Sequence, residues 1–109
     1  MYLNMNDNIE YQIYIGFNDS QANAQIIKEE ELEDMISEFF RRKKIDFSLM
    51  NGEGGFFHQD GTFAHEKTLI VNIIGQQGLD IIKLAKSLSM FMNQECSLVT
   101  KSSLKTQLY

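Results

Sequence analysis

A chain of 109 residues with no proline and 43% hydrophobic residues can bury one core of ordinary size without metal or disulfide staples. Its only cysteine, Cys96, excludes an internal disulfide and a four-thiolate zinc site, and it fits a reducing cytoplasm. A formal charge of −5 argues against the broad basic surface that non-specific nucleic-acid binding by counterion release requires.

One domain is expected over residues 1–109. The start, MYLNMNDNIE, lacks the basic head and apolar centre of a signal peptide, and no apolar run approaches the roughly 20 residues that cross a bilayer. A soluble cytoplasmic protein with no membrane partner is the expectation. Met1 to Asn8 read as a loose, asparagine-rich lead-in. Ile9, Tyr11, Ile13, Ile15 and Phe17 then alternate with Glu10, Gln12, Tyr14 and Gly16, the period-2 pattern of a strand with one buried face. Asn18-Asp19-Ser20 breaks it, and a polar loop follows to Lys28, with Ile26 and Ile27 placed to tuck under the next element.

From Glu29 to Lys44 the apolar residues Leu32, Met35, Ile36, Phe39 and Phe40 recur at helical spacing and form one stripe. Acids crowd the first turns and Arg41, Arg42, Lys43 and Lys44 the last, each sign complementing the helix dipole. Ile45, Phe47 and Leu49 alternate with polar neighbours as a second strand, which Gly52, Gly54 and Gly55 are expected to interrupt with a bulge or bend. Phe56 to Ala64 reads as a hairpin tip turning at Asp60-Gly61. The second arm runs through Glu66 into Lys67–Gly75, KTLIVNIIG, which is apolar on both faces and belongs in the middle of a sheet. Leu79 to Asn93 gives a second helix with Ile81, Leu84, Ala85, Leu88, Phe91 and Met92 on its stripe and Asn93 as C-cap. Glu95 to Lys101 forms a last strand, and the tail 102–109 adds a short strand or lies along the sheet edge.

Strand, helix, strand, strand, helix, strand is the split βαβ order of an α+β, ferredoxin-like fold. It has a four-stranded antiparallel sheet, two helices on one face, and the first and third strands central. The uncovered face is then predicted to carry Glu10, Gln12, Tyr14, Ser48, Met50, Ile70, Asn72, Ile74, Ser97 and Val99, with Leu98 turned toward the helices. Only Tyr14 could stack a base there, so direct nucleic-acid binding is disfavoured. Burial against a second copy, as a homodimer, against a partner or against the C-terminal tail fits the face better.

At the hairpin tip, a turn at Asp60-Gly61 puts Phe56, His58, Phe63 and His65 on one face, with Phe57 beside them. Two histidines without a convergent carboxylate make a weak metal signal, and exposed aromatic rings at a loop tip point to a contact surface. Gly52 to Gly55 is no phosphate loop, because neither a Lys-Ser or Lys-Thr pair nor a helix follows. Cys96 has no histidine near it in sequence and reads as a buried small residue. No serine-nucleophile motif, dinucleotide fingerprint or defensible carboxylate pair is present, so no catalytic residue, metal or cofactor is expected. The acids Glu30, Glu33, Asp34 and Glu38 share the outer part of the first helix, where they could imitate phosphates toward a basic groove as well as serve solvation.

The stretches GGFFHQDGTF, EKTLIVNIIG and NQECSLVTK resemble the short ferredoxin-like proteins carried by phages and conjugative elements of low-GC Gram-positive bacteria. Some small acidic proteins in that setting are anti-CRISPR inhibitors, and the resemblance implies that role without assigning residues to it. The expected function is therefore a non-enzymatic inhibitor of a basic, nucleic-acid-handling partner such as a Cas nuclease, acting through the acidic helix face and the aromatic hairpin. A dimeric ligand-binding regulatory module and a metal-dependent nuclease or hydrolase built on His58 and His65 are the alternatives.

Overall fold

The longest uninterrupted antiparallel pairings decide the architecture. The computed structural model describes residues 5–16, 18–19, 24–25, 28–57, 59–76, 78–92 and 96–107. Its elements are β1 (Asn6–Gly16), β2 (Asn18–Asp19), β3 (Ala24–Gln25), α1 (Glu29–Lys43), β4 (Ser48–Phe57), β5 (Phe63–Ile74), α2 (Ile81–Met92) and β6 (Cys96–Thr106). The main sheet is antiparallel with order β4-β5-β1-β6, and β2 and β3 pair as a separate two-residue ribbon. Apart from that ribbon, this is the ferredoxin-like α+β order read from the sequence, with β1 and β5 in the centre.

Ile13, Ile15, Leu69, Val71 and Ile73 are fully buried on one side of the two central strands. Leu32, Ile36, Phe39 and Phe40 of α1 and Leu84, Ala85, Leu88 and Met92 of α2 close over them, as the helical spacing predicts. Phe40 stacks on Phe47 with ring centroids 5.0 Å apart and meets Phe39 edge-on at 5.3 Å, while Phe39 reaches Phe91 on α2 at 5.6 Å. Acids in its first turn and bases in its last support α1, which has no side-chain N-cap. Lys44 ends it in the left-handed region, φ 56°, where its N–H donates back to the helix. Asp80 caps α2, its Oδ1 accepting the Lys83 N–H at 3.1 Å.

Four local expectations need correction. The strand β1 begins at Asn6, and Asn6 to Asn8 pair with Thr106 to Leu104, so the lead-in and the tail together form one end of the β1–β6 ladder. Glycines do not interrupt β4: its register with β5 is unbroken from Ser48 to Phe57, because an edge strand needs pairing on one side only. The hairpin closes at Phe57 opposite Phe63, not at Asp60-Gly61. Asp60 Oδ1 instead accepts the Thr62 N–H and hydroxyl, at 2.9 and 2.7 Å, and Gly61 takes φ 89°, which makes a longer loop. Finally, Ile13 pairs with Val99 and Tyr14 with Leu98, so Val99 packs on the core and Leu98 is exposed on the open face, with the register slipping between Tyr14 and Ile15. The one-residue change inverts both assignments. Ile26, Ile27 and the expected cap Asn93 lie outside the described residues, as do the side chains of Phe56 and Cys96.

Phe40 is fully buried and meets two other rings, those of Phe39 and Phe47. Phe40→Ala should lower stability in urea unfolding by about 3–5 kcal/mol; a loss below about 1 kcal/mol would show that the site collapses around the missing ring.

Candidate functional site

The β4–β5 hairpin runs past the ends of the helices. Between Leu49 and Leu69 no described side chain is buried, so the outer part of the hairpin is an arm exposed on both faces. Side chains alternate along it, and the parity of Leu69, Val71 and Ile73 fixes which face each one takes. On the helix side stand Phe57, Phe63, His65, Glu53, Lys67 and Asn51. On the other side stand Glu66 and Thr68, opposite Gly54 and Gly52.

The helix side of the arm has a defined layout. Phe57 and Phe63 sit across from each other with ring centroids 5.1 Å apart, and Phe63 reaches the His65 ring at 5.7 Å. Gly55 makes this possible, because a Cβ there would lie 2.3 Å from the tip of the Phe63 ring. One step further in, Glu53 pairs in register with Lys67. The ammonium of Lys67 lies 3.7 Å from the carboxylate of Glu29 at the start of α1. Glu29, Asn51, Gly52, Glu53, Lys67 and Thr68 together line an open cleft of about 390 Å³, within the usual size of a small-ligand site. An aromatic shelf thus leads into a cleft bearing two carboxylates and one ammonium. Such a set can stack a planar ring and bind both ends of an amino-acid group.

On the opposite face, the Glu66 carboxylate lies directly over Gly16 of β1, where a Cβ would come within 2.4 Å of Oε1. Gly16 is therefore a place of close approach, not a turn residue.

The residues singled out from sequence separate into two groups. Phe57, Phe63 and His65 share the helix-side face of the arm, whereas the backbone of Phe56 pairs with Ala64. The expected quartet of Phe56, His58, Phe63 and His65 is undone by the one-residue change in hairpin register, and His58 lies outside the described residues. Among the described residues no three His, Cys, Asp or Glu come together as a metal site. Glu30 and Asp34 are exposed on α1 and Glu33 is half-buried. Glu38 is engaged within the helix, accepting from Arg42 Nε at 3.0 Å and Arg41 Nη2 at 2.6 Å. Asn51, Glu53 and Lys67 were missed in sequence, and Glu29 was read only as one acid of the run that opens the first helix. Glu53 and Lys67 carried a signal in their cross-strand pairing, but only an unbroken β4 reveals it.

No family model matches the chain, and no curated protein does. Solved structures do. A phage SAM lyase in complex with S-methyl-5′-thioadenosine aligns with a TM-score of 0.53 at 20% identity, covering 94% of this chain and 92% of that one. A phage SAM lyase in the apo state aligns at 0.54 and 18% identity, covering 94% and 93%. These neighbours are phage proteins, in keeping with the phage part of the resemblance, and neither bears on anti-CRISPR activity. They overturn the expectation of a non-enzymatic inhibitor. The small, motif-poor architecture taken as too sparse for chemistry is one that these enzymes share. No helix among the described residues is long and apolar enough to cross a membrane.

The Arg42 hydrogen bond, with Arg41 beside it, holds Glu38 below the ordinary carboxylate range. A carboxylate whose pKa is lower in the folded chain stabilises above its unfolded value, and that stabilisation fades as pH falls through the folded value. Wild type should therefore lose stability faster than Glu38→Gln as pH is lowered below about 4.5, followed by thermal melting. Parallel melting curves at all pH values would contradict this account of Glu38.

Proposed function

We propose that this protein is an enzyme acting on S-adenosylmethionine (SAM), a lyase of the kind its structural neighbours represent, with the arm and its cleft as the substrate site. The observation that carries the reading is the full-length fold match to a SAM lyase that holds S-methyl-5′-thioadenosine. The cleft supplies chemistry that suits such a substrate. SAM carries a sulfonium, an ammonium and a carboxylate, so it is cationic overall and attracted to a chain of net charge −5. Phe63 and Phe57 offer a stacking surface for adenine, Glu29 and Glu53 face positive charge, and Lys67 meets the carboxylate.

S-methyl-5′-thioadenosine keeps the methyl and adenosyl groups of SAM. The bond that breaks is therefore the one from sulfur to the aminobutanoate chain. Its electron pair stays on sulfur, which becomes a neutral thioether, and the carbon left behind is satisfied from within the same fragment, since a lyase adds no water. Positive charge on sulfur disappears along this path. A carboxylate near it thus stabilises the bound substrate more than the transition state, and its role is capture. Holding the aminobutanoate chain in a reactive conformation is what raises the rate. Such an enzyme works in the cytoplasm, where SAM is made.

Purified protein incubated with SAM should release S-methyl-5′-thioadenosine, followed by liquid chromatography. Phe63→Ala should raise KM about 5- to 100-fold, as expected for loss of one stacked base contact, and Glu53→Gln should raise KM more than it lowers kcat. If SAM stays intact and neither SAM nor S-methyl-5′-thioadenosine binds in calorimetry, the reading fails.

A further inference from the structure

The C-terminal end of α1 opens onto a second cleft, which shares no lining residue with the first. It holds about 540 Å³, within the size range of small-ligand sites. The length of α1, about 20 Å at the helical rise, separates it from Glu29. Its floor is apolar: Phe47, half-buried, stacks on the buried Phe40, and Ile45 completes it. Its rim carries Arg41, Lys44 and Asp46, all exposed.

Two observations mark this rim, and its charges select the ligand. First, the basic run that closes α1 is not consumed within the fold. Arg41 and Arg42 donate to Glu38, and Lys43 lies over the Phe39 ring at 5.2 Å. The Lys44 ammonium, by contrast, has no ion-pair partner among the described residues, and neither has the Asp46 carboxylate two positions on. Second, Lys44 takes φ 56°, the only positive φ outside glycine among the described residues, at the place where glycine ordinarily closes a helix. Strain of this kind is held at functional positions. The Lys44 and Ile45 N–H groups donate back to the carbonyls of Arg41 and Phe40, each at 3.2 Å, so the backbone that presents the ammonium is fixed. A purely anionic ligand would meet Asp46, and a purely cationic one would meet Lys44 and Arg41, so each is opposed by a like charge. A zwitterion with an apolar body satisfies the rim and the floor together.

We propose that this cleft binds a free α-amino acid with an apolar side chain. Its carboxylate meets Lys44 and the Arg41 N–H groups that Glu38 leaves over, its ammonium meets Asp46, and its side chain lies on Phe47 and Ile45. The proposal does not depend on the SAM reading, since the arm's cleft is at the other end of α1. Backbone amide NMR titration with L-phenylalanine should shift the signals of Arg41 to Phe47 and give a Kd on the order of 1 mM, as suits a ligand of that size in an open cleft. The analogues 3-phenylpropanoate, without the ammonium, and phenethylamine, without the carboxylate, should each bind several-fold more weakly. Lys44→Gly should raise the Kd about 3- to 10-fold while melting no lower than wild type, because glycine accepts the left-handed backbone. A lysine kept only for the fold would not show that combination. Asp46→Asn should weaken L-phenylalanine by a similar factor without weakening 3-phenylpropanoate. No shifts at Arg41 to Phe47 in wild type at ten times that concentration, analogues that bind as tightly as L-phenylalanine, or Lys44→Gly and Asp46→Asn chains that bind it like wild type would overturn the proposal.

Discussion

The pairing of β1 with β5 is the constraint on which the rest of this molecule depends. Seven consecutive residue pairs, from Glu10 opposite Ile74 to Gly16 opposite Thr68, lock two strands whose inward side chains are all large and apolar. Both helices dock on that side because nowhere else can their stripes escape water. Two consequences follow from one register. The outward side chains of the same strands form a face that the helices cannot reach. And β5, at 12 residues, is longer than the helical layer above it, so its outer end can be supported only by β4.

That unsupported end carries the candidate site. A hairpin arm free of core duty can carry Phe57, Phe63 and His65 in the open, and its base meets the start of α1, where the dipole favours Glu29 and Glu29 in turn meets Lys67. The same acidic turn that stabilises the helix thus forms one wall of the cleft. On the proposed reading a structural charge and a binding charge coincide here, which is how a short chain without a recognisable catalytic motif would serve as an enzyme. For a cationic substrate that loses its charge as it reacts, the demands are capture, orientation and removal of water, and backbone shape with a few carboxylates can meet them.

Much of the fold was legible in the sequence. The stripe of α1, the alternation in β1 and the apolar run in β5 each reflect a period imposed by burial, and burial is what these residues experience. The arm was harder to read. Neither side of it is buried, so no alternation recorded its register, and Asp60-Gly61 resembled a two-residue turn although the Asp60 carboxylate binds Thr62 and lengthens the loop. One residue of error there exchanged Phe57 for Phe56 in the aromatic face. Likewise Leu98 and Val99 are both apolar, and only the pairing of Ile13 with Val99 decides which one enters the core. The function was misjudged for a different reason. Catalysis was sought as clusters of nucleophiles, metal ligands and paired carboxylates, whereas the reaction proposed above, cleavage of a sulfonium already primed to leave, requires none of them.

The most direct test of the arm as substrate site is a backbone amide NMR titration with S-methyl-5′-thioadenosine, which separates binding from turnover. The account predicts shifts concentrated at Gly52 to Gly55, Phe63 to Thr68 and the first turn of α1. Shifts confined to the far end of the sheet, around Asn8 and Leu104, or none at millimolar ligand, would contradict it.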